Sequence, residues 1–109
     1  MVIIMELEFD KALESMKFNV GMVYLTRGVD TMVREDKAFS KFVGKSFARH
    51  VNGDWGDLCD EDKELNEMAL LNGDDRLFSR YEFNGGEYTI YIITEWDRSA
   101  TTILFTDEY

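Results

Sequence analysis

Between Asp54 and Asp75 the chain carries nine carboxylates and one base, Lys63. Carboxylates gathered this closely bind a metal, begin a helix, or present negative charge to a basic partner. A zinc site needs Cys and His ligands at paired spacings, and the chain has one histidine, His50, and one cysteine, Cys59, with no second pair. A calcium loop fails as well, because the register beginning in this segment lacks the glycine and the closing glutamate of an EF-hand. Helix caps and a solvated anionic surface are therefore expected, with no metal and no cofactor. The candidate partner-binding residues are Asp54, Asp57, Asp60, Glu61, Asp62, Glu64, Glu67, Asp74 and Asp75, with Trp55 as an aromatic anchor among them.

Nucleophilic catalysis needs a nucleophile, a base and a group to orient the base. His50 falls in the middle of an apolar helix face, the place of a satisfied core histidine. Cys59 reads as a small buried hydrophobe at a helix start. The most enzyme-like stretch is "TEWDRS", where Glu95, Asp97 and Arg98 follow an apolar strand. These three are secondary candidates, for a metal-assisted nuclease or a target-modifying enzyme, and a turn stapled by an Asp97–Arg98 pair accounts for them equally well. No GxxxxGK or GxGxxG is present to cradle a phosphate.

Lys37, Lys41, Lys45 and Arg49 form a basic stripe, but the chain as a whole is at -10, so direct DNA binding is disfavoured. The acids themselves are better read as a surface. A helix over Asp60–Asn72 would be roughly 20 Å long. Five carboxylates less Lys63 give net -4 along it. That is one charge per about 5 Å, against one per ~1.7 Å of duplex DNA and ~3.4 Å of a single strand. The segment is a sparse imitation of a phosphate backbone, enough to compete for a basic groove.

The elements that must position these residues follow from periodicity. "FNVGMVYL", Phe18–Leu25, alternates like a strand and should end near Arg27 and Gly28. From Asp36 to Val51, Phe39, Phe42, Val43, Phe47, His50 and Val51 recur at helical spacing, with the basic residues opposite. A second helix spans Asp60 to Asn72, with Asp57 or Asp60 as N-cap, Gly73 as the left-handed stop, and an apolar face of Leu58, Leu65, Met68, Ala69, Leu70 and Leu71. "RLFSRYEF", "EYTIYIITEW" and "TTILF" read as three strands, the first two joined through "NGG". Residues 1–17 form an extension or edge element: "IMELEF" suits an edge strand and "DKALESM" a helical turn or two. The expected fold is α+β, one domain over 18–109, with a three- to four-stranded mainly antiparallel sheet and two main helices on one face.

A hydrophobic content of 45% and 14% aromatic residues is enough for a core despite the charge, so disorder is excluded. The unpaired cysteine fits a reducing cytoplasm, and the N-terminal apolar run is too short for a signal peptide or a membrane span.

At "GDWGDLCDEDKELNEMALLNGD" and "IITEWDRSATTILFTDEY" the chain resembles a family of small proteins carried on plasmids, conjugative elements and prophages, labelled plasmid-related or as a restriction-system subunit. The likeness runs from about Phe18 to Tyr109. It implies a mobile-element setting, in which small acidic proteins act as anti-restriction or anti-CRISPR inhibitors. A Cas9-type effector, with its strongly basic guide and DNA channels, is among the targets implied. It carries over no catalytic residues. The leading expectation is a non-enzymatic inhibitor that offers its acidic face to the basic groove of a host defence nuclease. Besides the enzyme named above, the alternative is a regulatory homodimer in which the basic helix of one copy meets the acidic helix of another.

Overall fold

The computed structural model describes Val2–Ile3 and residues 16–109. The expectations for "IMELEF" and for the helical turn in "DKALESM" fall on residues 4–15, outside the described ones. Five strands, β1 (Val2–Ile3), β2 (Met22–Leu25), β3 (Leu77–Phe83), β4 (Tyr88–Thr94) and β5 (Ala100–Phe105), form one sheet in the order β1-β2-β5-β4-β3. All neighbouring pairs are antiparallel except β2 and β5, which run parallel with Met22 opposite Ala100 and Leu25 opposite Ile103. The architecture is the mainly antiparallel α+β arrangement expected from the patterning, with one strand and one helix more than expected among the described residues.

Three helices accompany the sheet among the described residues: α1 (Arg27–Glu35), α2 (Lys37–Val51) and α3 (Asp60–Asn72). Two of them lie where the sequence puts them. The strand before them begins at Met22 rather than Phe18 and stops before Arg27 as expected, while α1 is a helix over residues to which the sequence assigned no element. Its first turn is satisfied from far away. The carboxylate of Glu108 accepts from Thr26 Oγ1 at 2.6 Å and from Gly28 N at 3.1 Å, supplying the acceptors that a helix start lacks. α2 caps itself, Asp36 Oδ1 accepting from Phe39 N at 3.1 Å.

The main core lies between the sheet and α1 and α2. Val29, Phe39, Val43, Phe47 and Val51 from the helices meet Leu25, Tyr81, Ile90, Ile92 and Ile103 from the strands. All are essentially buried, and each contributes on the order of 1.5–3 kcal/mol by its removal from water. A smaller cluster of Trp55, Ala69 and Leu77 lies under α3. None of the helices among the described residues is long and apolar enough to cross a membrane.

Candidate functional site

The acidic segment is held against the sheet by backbone chemistry. β3 is an edge strand, and an uncovered edge presents a row of free N–H and C=O groups. Here residues 54–66 take them up. Arg80 N donates to Trp55 O at 3.3 Å, Asp57 N donates to Arg80 O at 2.7 Å, and Glu82 N donates to Asp57 Oδ2 at 3.2 Å. Nearly two turns into α3, Asn66 Nδ2 donates to Phe78 O at 2.6 Å while Phe78 N donates to Asn66 Oδ1 at 3.0 Å. Gly56 permits the approach: its φ is +75°, and a Cβ there would collide with the Arg80 carbonyl.

Several proposed site residues are consumed by this anchoring. Trp55 is 3% exposed, so it is a core side chain and not a surface anchor. It stacks on Phe18 and lies edge-on to His50, and its indole N–H donates to Glu67 Oε1 at 3.1 Å. Asp54 is paired with Arg49, Oδ2 lying 2.8 Å from Nε, and accepts from Gly56 N. Hydrogen bonding from Arg49 holds the Asp54 carboxyl below its ordinary range and raises the guanidinium in turn. Asp57 serves the β3 edge, and Asp75 Oδ1 accepts from Arg76 N.

The N-cap of α3 is Cys59, without a side-chain bond, rather than Asp57 or Asp60. Cys59 is exposed, which corrects its expected burial. Gly73 does end the helix in the left-handed conformation, at φ 69°.

What remains unengaged is the outward face of α3. Asp60, Glu61, Asp62 and Glu64 are exposed and make no ion pair among the described residues. Lys37, Lys41 and Lys45 of α2 are equally exposed and likewise unpaired. The acids are therefore not neutralised by the basic stripe, apart from the Arg49–Asp54 contact.

The expected apolar face of α3 is only partly buried. Asn66 and Ala69 turn inward, while Leu65, Met68 and Leu71 are 63%, 58% and 86% exposed. The sequence held a signal for this that the apolar count hid. Glu61, Glu64 and Glu67 stand four residues before Leu65, Met68 and Leu71, so an outward acidic row carries those apolar side chains outward with it.

The "TEWDRS" turn is a different structure from an Asp97–Arg98 staple. Arg98, at φ 61°, donates to the carbonyls of Asp75, Glu95, Trp96 and Ala69 at 2.6, 3.1, 3.1 and 3.2 Å. It ties the β4–β5 turn to the end of α3, where a cation also suits the helix dipole. Asp97 Oδ1 accepts from Ser99 N at 3.0 Å, an Asx turn, and the hydrogen bonds to Ser99 hold its carboxyl below the usual range. No group of three His, Cys, Asp or Glu able to hold a metal occurs among the described residues.

His50 is fully buried, as its position on α2 required. Its Nδ1 lies 2.6 Å from Ser79 Oγ and its Nε2 2.9 Å from Thr94 Oγ1, and Thr94 continues to Thr101 at 2.7 Å. Burial pushes the imidazole down to about 3. With no exposure to solvent, the His50–Ser79 pair is a core network and not a catalytic dyad. Comparison with known protein families, with curated proteins and with solved structures returned no match.

Proposed function

We propose that this protein is a non-catalytic inhibitor carried by a mobile element, which presents the outer face of α3 to the basic nucleic-acid groove of a host defence nuclease. The observation that supports it is the set of exposed, unpaired carboxylates Asp60, Glu61, Asp62 and Glu64 on a helix locked to a sheet edge. Anchoring matters because a fixed row of charges competes for a groove without the ordering cost that a flexible acidic tail incurs. A Cas9-type effector belongs to the class of targets, since its channels recognise nucleic-acid backbone through positive charge.

The reading distinguishes acids that contact the partner from acids that hold the fold. Asp54, Asp57 and Glu67 are engaged within the molecule, so their replacement disturbs structure as well as charge. The test is Glu61→Lys with Glu64→Lys, measured as inhibition of candidate nucleases and as affinity across a salt series. Expected are loss of inhibition and an affinity that falls steeply with ionic strength in the parent protein. Inhibition that survives both reversals and is indifferent to salt would overturn the proposal.

A further inference from the structure

We infer that the face of α3 is a docking surface for a basic amphipathic helix of a partner protein, with Leu65, Met68 and Leu71 as its apolar seam. The inference rests on the proposed role of α3 as the contact face and names the chemistry it takes. Exposed apolar side chains recur here at three-residue steps, about one per helical turn, which is the spacing a second helix needs to lie alongside. They are large, they are contiguous on one face, and none of them contributes to either core cluster. A chain that merely displayed solvating charge would not place three such residues outward on its most acidic helix.

Charge specifies the occupant. The outer face is acidic in the first turns, at Glu61 and Glu64, and apolar in the last, at Leu65, Met68 and Leu71. A partner must bring lysine or arginine to the first part and leucine-like side chains to the second. Phosphates of a nucleic acid or an anionic lipid surface would be repelled by the carboxylates. A second copy would bring the same face, glutamates against glutamates, or the lysine stripe of α2, and in either case two chains at -10 must be drawn together against their mutual repulsion.

The platform is rigid. Asn66 fixes the middle of α3 to β3, Trp55 reaches Glu67, and Arg98 clamps the Ala69 and Asp75 carbonyls. Trp96, 63% exposed, stands on the turn that Arg98 fastens to the C-terminal end of α3.

The experiment compares two designed peptides of equal lysine content against the full chain: one with leucine along a single helical face, the other with serine in those places. Expected is binding of the leucine peptide on the order of tenfold tighter than the serine peptide, a preference removed by Leu65→Ser with Leu71→Ser. The Ser variant should keep its circular dichroism and lose only a few degrees of thermal midpoint, since both side chains are mainly exposed and serine is only a slightly weaker helix former than leucine. Equal affinity for the two peptides overturns the inference, because simple electrostatic adsorption then suffices. So does a parent protein that sediments as a dimer and becomes monomeric in the Ser variant, because the occupant is then a second copy. Nuclease inhibition separates this inference from the one above. Full potency in the Ser variant with loss in the Glu61→Lys, Glu64→Lys variant sinks the apolar seam alone. Potency retained in the Lys variant sinks the acidic face as the inhibitory contact, whatever the peptides do.

Discussion

His50 couples the core to pH because both of its ring nitrogens face hydroxyls and no carboxylate. Its folded value of about 3 lies below its ordinary value of 6.5, so between them the unfolded chain binds a proton that the folded chain refuses. The stabilisation is complete above pH 6.5 and is lost as pH falls toward 3, by about 2 kcal/mol at pH 5. Urea midpoints at pH 7, 6 and 5 should decline in the parent protein and decline less in His50→Gln, which has no proton to gain. Identical slopes would show that His50 is reached by water. Arg98 makes a second residue-scale case. Arg98→Ala removes the donors to four carbonyls and should cost about 2 kcal/mol in chemical denaturation. Arg98→Lys should recover little of this, because one ammonium lacks the planar fork. Arg98→Gly should lose less than the Ala variant, because glycine accepts the positive φ freely.

At the scale of elements, the edge of β3 is where the acidic segment has a mechanical duty. Asn66→Ala leaves Phe78 N and O without their partners, which should cost roughly 2–3 kcal/mol and speed exchange of the Phe78 amide. Unchanged exchange would mean that water replaces Asn66 without penalty. This duty was not legible in the sequence, since an asparagine inside a helix has no local signature of pairing with a strand. The helices at 37–51 and 60–72 and the β3–β4 hairpin were legible, because their stop signals and periods are local. α1 was not, because its start is satisfied by Glu108, some eighty residues away, and Gly28 in its first turn is a poor helix former. Trp55 misled for the same reason. A tryptophan among aspartates looks exposed until the strand edge draws the loop inward. At the candidate site, the sequence disclosed the acids but not the division between those that anchor and those that stay free.

Across the whole molecule, charge is separated rather than neutralised. Three ion pairs occur among the described residues, Asp30–Arg34, Arg49–Asp54 and Arg80–Glu82, none of them joining α3 to the lysines of α2. A chain at -10 with so few pairs repels itself when folded, and the repulsion is relieved in the expanded unfolded state. Moderate salt screens that repulsion over about 10 Å at 0.1 M, while the exposed pairs it also weakens are worth little. The melting temperature should therefore rise by a few degrees from low salt to about 0.2 M sodium chloride. Glu61→Lys with Glu64→Lys changes the net charge by four, from -10 to -6, and should flatten the rise. The Leu65→Ser, Leu71→Ser variant leaves net charge untouched and should keep the parent's salt response in full. A melting temperature that falls with salt would mean that attractive pairs dominate the fold, and α3 would then have no surplus of negative potential to offer a basic partner.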